Sequence, residues 1–223
     1  SSDLKHILLV HSLVHSLEVD SVKHTYNQIA NHFNATRYSY WSWITHFIND
    51  TPTGSQIYDI GCGNGRNMTY SGYNFIGVDN SESFVKICLD KGLNVKLGEM
   101  DDLPFKNESS AAIINIAAFH HLASESRRLN ALMEMKRVLK PGGKILISVW
   151  SKNQPVKTKR VFENYGINLV PWKKPNSTSD SDVKMRFYYI FKIDEITDLF
   201  NKVGLTLIEY KWDCGNEIFI LQK

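Results

Sequence analysis

Apolar side chains recur along this chain first at helical spacing and then in short, nearly continuous runs. Residues 4–17 carry them at rough helical spacing, interrupted by His6, His11 and His15, and read as a peripheral helix. From Asp20, the positions Val22, Tyr26, Ile29, Ala30 and Phe33 mark one face of an amphipathic helix that stops near Asn34. Ile44, Phe47 and Ile48 mark a second. The rhythm then changes. Strand patterns at 56–60, 73–78, 93–98, 111–116 and 144–150 are separated by helical ones at about 81–91 and 123–139. Lys140-Pro141-Gly142-Gly143 closes the last of these helices with Pro and Gly stop signals. Residues 151–182, rich in Lys, Asn, Ser and Pro, read as an inserted loop. An extended run at 186–191, a helix at about 193–203 and two strands, 206–212 and 217–221, about a turn at 213–216 complete the chain. The alternation predicts an α/β, Rossmann-like fold. Its sheet is seven-stranded and mostly parallel, with helices on both faces and a C-terminal antiparallel hairpin. One domain over 20–223 follows a peripheral segment 1–19, with 151–191 as a basic, substrate-side region.

The first strand leads into the stretch that organises the rest, Asp59-Ile60-Gly61-Cys62-Gly63-Asn64-Gly65. Glycines there permit tight backbone conformations and close approach of a ligand, and the pattern predicts a strand, a turn and a helix N-terminus whose N–H groups face that ligand. The next strand ends at Asp79, where α/β nucleoside sites hold ribose hydroxyls with a carboxylate, and Asn80 follows it. Gly-x-Gly-x-Gly leans towards S-adenosylmethionine over a dinucleotide. Glu99-Met100 ends the third strand as an adenine wall, with a plain surface acid as the other reading of Glu99. Asn115-Ile116-Ala117-Ala118 ends the fourth beside the glycine turn, and His120-His121 follows. Adjacent side chains point apart, so the two His are no metal pair; one is expected to line a pocket while the other packs.

Charge sharpens the picture more than bulk composition, which is that of an ordinary globular chain, 43% hydrophobic and 22% charged. Net charge is +3, yet Lys136–Lys192 holds 13 Lys and Arg against 3 acids, leaving the remainder about −7. Such a local excess points to a polyanion or to a solvated basic face. Three cysteines without a C-x-x-C oppose a disulfide framework or a zinc site, and no metal site is expected. A reducing, cytoplasmic compartment fits, with the nucleus as an alternative. Ile7-Leu8-Leu9-Val10 is too short to span a bilayer, and no leader sequence is recognisable.

These motifs, with Gly77-Val78-Asp79 and Leu139-Lys140-Pro141-Gly142-Gly143, resemble the class I S-adenosylmethionine-dependent methyltransferases. The segment from Asn27 to Tyr38, Ile116–His121 with Glu125-Ser126-Arg127-Arg128, Val149-Trp150, Val170-Pro171-Trp172 and Arg186–Tyr189 narrow the resemblance. They are similar to the eukaryotic methyltransferases of tRNA wobble 5-carboxymethyluridine, over roughly 20–223. The resemblance implies methyl-ester formation on that carboxylate, S-adenosylmethionine as donor (S-adenosylhomocysteine as product), tRNA as substrate and a small zinc-binding activator protein as partner in a heterodimer. It implies Arg37, His121 and Trp150 at the active site and Asp79 at the cofactor. Glu99 departs from the Asp usual there, Tyr40 from a polar residue, and the basic insertion is short.

A carboxylate nucleophile is ionised at neutral pH and needs no strong base, only positioning and a cationic anchor. Arg37 fits that anchor or the cofactor's own carboxylate, with Arg186 in reserve. Cofactor contacts are expected from Asp59, Gly61, Gly63, Gly65, Asp79, Asn80, Glu99, Met100 and Ala117. Substrate contacts are expected from Tyr38, His120, Lys157, Lys159, Arg160 and Tyr188, with Trp150 and residues 187–189 stacking a base or filling core. If the strand order that the resemblance implies holds, the third strand, about 94–98, lies at a sheet edge, and an activator is expected to dock there. A small-molecule carboxyl or C-methyltransferase is the alternative enzyme, and a non-catalytic module retaining the fold is the third reading.

Overall fold

A computed structural model describes residues 16–36, 41–158, 161–173 and 183–223. Seven strands form one sheet: β1 (Gln56–Ile60), β2 (Asn74–Asp79), β3 (Val95–Leu97), β4 (Ser110–Ile116), β5 (Leu139–Trp150), β8 (Thr206–Asp213) and β9 (Asn216–Gln222). Their order is β3-β2-β1-β4-β5-β9-β8. Pairs from β3 to β5 are parallel, whereas β9 runs antiparallel between β5 and β8. The order reverses between β1 and β4, and ligands of open α/β sheets bind at the C-terminal ends of strands at such a point. The expected β3 edge and terminal hairpin are both present.

Each sheet face carries its own core. Helices α4 (Glu125–Val138) and α5 (Ile193–Lys202) cover one face through Ala131, Leu132, Met135, Ile196 and Phe200, all essentially sealed against Ile113, Ile145 and Phe219. Helices α2 (Ser42–Asn49) and α3 (Glu82–Asp90) cover the other, with Trp43, Ile44, Phe47, Ile48 and Cys88 packed on Ile57, Ile114 and Leu146. Sealing on both sides explains why β1 and β4 are largely apolar on both faces, with Asp59 and Asn115 as the buried polar exceptions. Truncating Ile113 or Leu132 to Ala would cost roughly 2–5 kcal/mol. Ser81 caps α3 by accepting from Phe84 N, and Ser124 caps α4 by accepting from Arg127 N.

Helix α1 (Thr25–Thr36), entered through a π-helical turn at Val19–His24, lies across the strand ends rather than on a face. Asn27 Oδ1 ties it to α3 by accepting from Ser81 Oγ (2.6 Å) and Ser83 N (3.2 Å).

Two expectations fail. No α-helix follows the glycine turn: a single 3₁₀ turn, Arg66–Met68, leads directly towards β2, because residues 66–73 hold Ser71-Gly72, with Gly72 at φ +86°. The 151–182 segment is not all loop. β6 (Gly166–Trp172) pairs antiparallel with β7 (Lys184–Ile190) in a separate two-stranded sheet, and Pro171 is tolerated because this sheet is all edge. Pro-Gly-Gly at 141–143 forms an irregularity inside β5 rather than an open loop, since Leu139 already pairs with Ser110. Among the described residues no helix is long and apolar enough to cross a membrane.

Candidate active site

The glycine turn is braced from below. Gly61 N and Cys62 N both donate to Val78 O, at 2.7 and 3.0 Å, which hangs the turn on the end of β2. Gly61 sits at φ +75°, and a Cβ there would stand 2.4 Å from Ala118 Cβ, so close approach as well as conformation requires glycine. Gly65, at φ +73°, packs so near Leu93 and Cys88 that a side chain would displace them. Asp79 completes the brace: its Oδ2 accepts from Gly63 N (2.8 Å) and its Oδ1 from Ser81 N (2.9 Å). Burial pushes this carboxyl up to about 6, the two N–H donors opposing the shift and the Glu99 charge adding to it.

On the β4 side, Asn115 is a buried strut. Its Nδ2 donates to Ile60 O (2.9 Å) and its Oδ1 accepts from Phe119 N (3.0 Å), joining β1 to the turn Phe119–His121. Ala117 holds the left-handed conformation, φ +53°, with its N–H directed at Ser148. Strain of this kind persists where surrounding structure over-determines it, frequently at ligand sites.

Between these parts lies a cavity of about 370 Å³. One end is walled by Gly61, Gly63, Asp79, Asn80, Glu99 and Met100. Ala117 lies in the wall between the ends, and His121, Trp150, Arg186 and Tyr188 line the other. Asp59 and Gly65 stand behind the wall; Asp59 is 1% exposed, and its Oδ2 has no hydrogen-bond partner among the described residues. Burial, then the Asp79 charge, raises the Asp59 carboxyl to about 8, while Arg66 pulls it down. Glu99 accepts from Asn80 Nδ2 (3.2 Å) and Arg127 Nη2 (3.2 Å). Arg127 also forks onto Asp101, at 2.7 Å through both Nε and Nη2, and bonds Glu18 of the N-terminal helix. Glu18, Val22, Tyr26 and Phe33 thereby become the cavity's roof.

The far end is aromatic and holds a cation. Trp150 and Tyr188 stack in parallel, centroids 4.0 Å apart. The Arg186 guanidinium lies 5.4 Å from the Tyr188 ring and 5.9 Å from that of Trp150. Arg186 is 8% exposed, and its buried Nε has no hydrogen-bond partner among the described residues. His121 Nδ1 donates to Phe187 O (2.7 Å), and its Nε2 lies 3.1 Å from Tyr26 Oη. Burial, reinforced by the Arg186 charge, lowers the imidazole to about 3, so it is neutral at physiological pH. His120 packs: it is fully buried outside the cavity, and its Nδ1 accepts from Trp150 N (3.0 Å). Arg37, Tyr38, Lys159, Arg160 and the side chain of Lys157 lie outside the described residues.

Tyr26, Glu18 and Arg127 were missed as site residues. Tyr26 fell on the apolar stripe of its helix, where a hydroxyl needing a partner was the available signal. Glu18 and Arg127 carried none, because a pair 109 residues apart has no local pattern.

The residues fit S-adenosylmethionine. Asp79 offers a carboxylate already oriented by two backbone donors, and the Cβ-free Gly61 leaves room for a close ligand. Residues 58–147 match the methyltransferase domain family. A Schizosaccharomyces pombe tRNA (carboxymethyluridine(34)-5-O)-methyltransferase is 31% identical over 92% of this chain and 97% of its own length. An Arabidopsis thaliana protein of the same name is 44% identical over 62% of this chain. The chain spans 34% of the plant relative's length and 22–41% of three vertebrate ones. The fold is shared with a Methanosarcina mazei S-adenosylmethionine-dependent methyltransferase, TM-score 0.64 at 19% identity, covering 83% of this chain and 98% of that one. It is also shared with a chain from the complex of the Haloferax volcanii Trm112 methyltransferase activator with a methyltransferase, TM-score 0.65 at 17% identity, covering 91% and 97%. With a class I fold, a braced glycine turn and near full-length similarity to the fission yeast protein, this chain belongs to the tRNA (carboxymethyluridine(34)-5-O)-methyltransferase family.

Proposed function

We propose that the chain methylates the carboxylate of 5-carboxymethyluridine at the tRNA wobble position, forming the methyl ester. The observation that carries this reading is Arg186: a buried guanidinium facing the end of a cavity whose other end is acidic. A buried guanidinium that faces only aromatic rings and keeps Nε unpaired among the described residues is costly unless an anion arrives, so this arrangement favours an anionic acceptor. When bound, S-adenosylmethionine supplies an electrophilic methyl group on its sulfonium. Asp79 and Glu99 would hold its adenosine half, with Gly61 and Gly63 of the glycine turn about its amino-acid half. Arg186 would grip one carboxylate oxygen and leave the second to react, and no general base is required. The Trp150–Tyr188 pair offers a stacking platform for an extruded base.

The basic segment 136–192 supports tRNA as the carrier of that carboxylate. A small zinc-binding activator as partner draws support from β3, an edge strand with Leu97 51% exposed beside Leu89 at 57%. The fold likeness to the chain from the Trm112 complex points the same way. The test uses chain and activator co-expressed, methyl-labelled cofactor, and either tRNA bearing 5-carboxymethyluridine or small carboxylic acids. Label in tRNA that alkali releases as methanol is the expected result. Label confined to small acids, or alkali-stable label, would overturn the proposal.

A further inference from the structure

The far end of the cavity holds a hydrogen-bond chain whose direction can be deduced. Phe187 O can only accept, so His121 Nδ1 carries the proton and Nε2 presents a lone pair. Tyr26 Oη, 3.1 Å from that lone pair, must donate to it. Its single proton is then used, so Tyr188 Oη, 3.0 Å away, donates to Tyr26. The sequence Tyr188 to Tyr26 to His121 to Phe187 is fixed by one carbonyl.

We infer that Tyr26 is the positioning residue of the acceptor end: its hydroxyl occupies the Nε2 lone pair that the Phe187 carbonyl leaves on His121 and pins the Tyr188 ring beneath Trp150. Independent anchors hold Tyr26 itself. Thr25 Oγ1 donates to Met185 O (3.2 Å), Asn27 ties the helix to α3, and the Tyr26 ring meets that of His121 edge-on at 5.2 Å. His121 is faced by Tyr26 from α1, by Arg186 and Tyr188 from β7, and by His120 beside it. None of these is an acid that would stabilise an imidazolium. With the Nε2 lone pair occupied, His121 neither takes a proton nor offers one to the acceptor, leaving Arg186 as the charged group there among the described residues. That consequence rests on the carboxylate reading of the site; the network does not.

The test is Tyr26→Phe in the full chain with its activator, read in two ways. Nitrogen-15 NMR of the ligand-free protein should show His121 as Nδ1–H in the wild type and unprotonated at Nε2 from pH 5 to 8. In the variant the Nδ1–H tautomer should persist on Phe187 O while the Nε2 resonance shifts, its hydrogen-bond donor lost. For transfer to tRNA, the variant should lose about tenfold in kcat/KM, the scale of one lost buried hydrogen bond, with cofactor Kd within twofold. Tyr188→Phe should leave the tautomer intact. An Nε2–H tautomer in the wild type, or a Tyr26→Phe protein with an unchanged Nε2 resonance, would overturn the inference whatever its rate. Absent tRNA methylation with the expected tautomer would instead count against the proposed substrate alone.

Discussion

The two ends of the cavity are built in opposite ways. At the glycine end, Asp59, Gly61, Gly63 and Asp79 fall within 21 residues, and the backbone does most of the holding: Val78 O and the N–H groups of Gly61, Cys62, Gly63 and Ser81. At the aromatic end, contacts join residues 95, 162 and 66 positions apart, and side chains do the holding. Their electrostatics are opposed as well. Burial raises the carboxyls of Asp59 and Asp79 at one end; at the other it keeps His121 neutral beside the Arg186 cation. A cavity anionic where a sulfonium would sit and cationic where a carboxylate would sit is polarised along the path of methyl transfer. Preorganised charge of this kind is a large part of catalysis.

If the glycine end depends on backbone geometry, its sharpest break is steric. Gly61→Ala places a methyl group 2.4 Å from Ala118 Cβ at φ +75°, and cofactor binding by calorimetry should fall at least about 100-fold. Asp79→Ala removes an acceptor of two backbone donors together with the ribose contact. Its cofactor affinity should fall about 10–100-fold, the range for hydrogen bonds to a charged group. In the wild-type protein, Asp79 protonates as pH falls through about 6, so cofactor affinity should be about tenfold weaker at pH 5 than at pH 7.

The smallest effect separates the ends by stability. The Asp59 value is raised from 3.8 to about 8, so the folded chain retains a proton that the unfolded chain releases in that window, and stability falls as pH rises through it. His121 acts with the opposite sign: its value is lowered to about 3, so stability is lost as pH falls below 6.5. Asp59→Asn should therefore flatten the alkaline limb and melt about 4 °C higher than wild type at pH 8, leaving the acid limb in place. A melting curve parallel to wild type at every pH would contradict this division.

The same contrast explains what could be read from the chain. The strand–helix alternation, the glycine turn and the Asp79 acid are local patterns and were legible, whereas the β3 edge came only with the family resemblance. The helix expected after Gly65 was not there, because the generic motif does not encode how soon Gly72 turns the chain back. Strand β6 was hidden by Pro171 and polar neighbours, which only pairing with β7 makes acceptable. Adjacent histidines had to diverge; which of them faced the cavity was decided by the turn hung on Asn115, a tertiary fact. Tyr26 looked like packing because its partners lie in β7 and after β4.

The central claim is that Arg186 reads the negative charge of the acceptor. It is tested most directly by methyl-transfer rates on tRNA bearing 5-carboxymethyluridine, for wild type and Arg186→Met at equal cofactor saturation. We expect the wild type to methylate the carboxylate and Arg186→Met to lose at least about 100-fold in kcat/KM, with cofactor Kd unchanged, since a charge-assisted pair is removed. Equal rates in the two proteins would contradict the account.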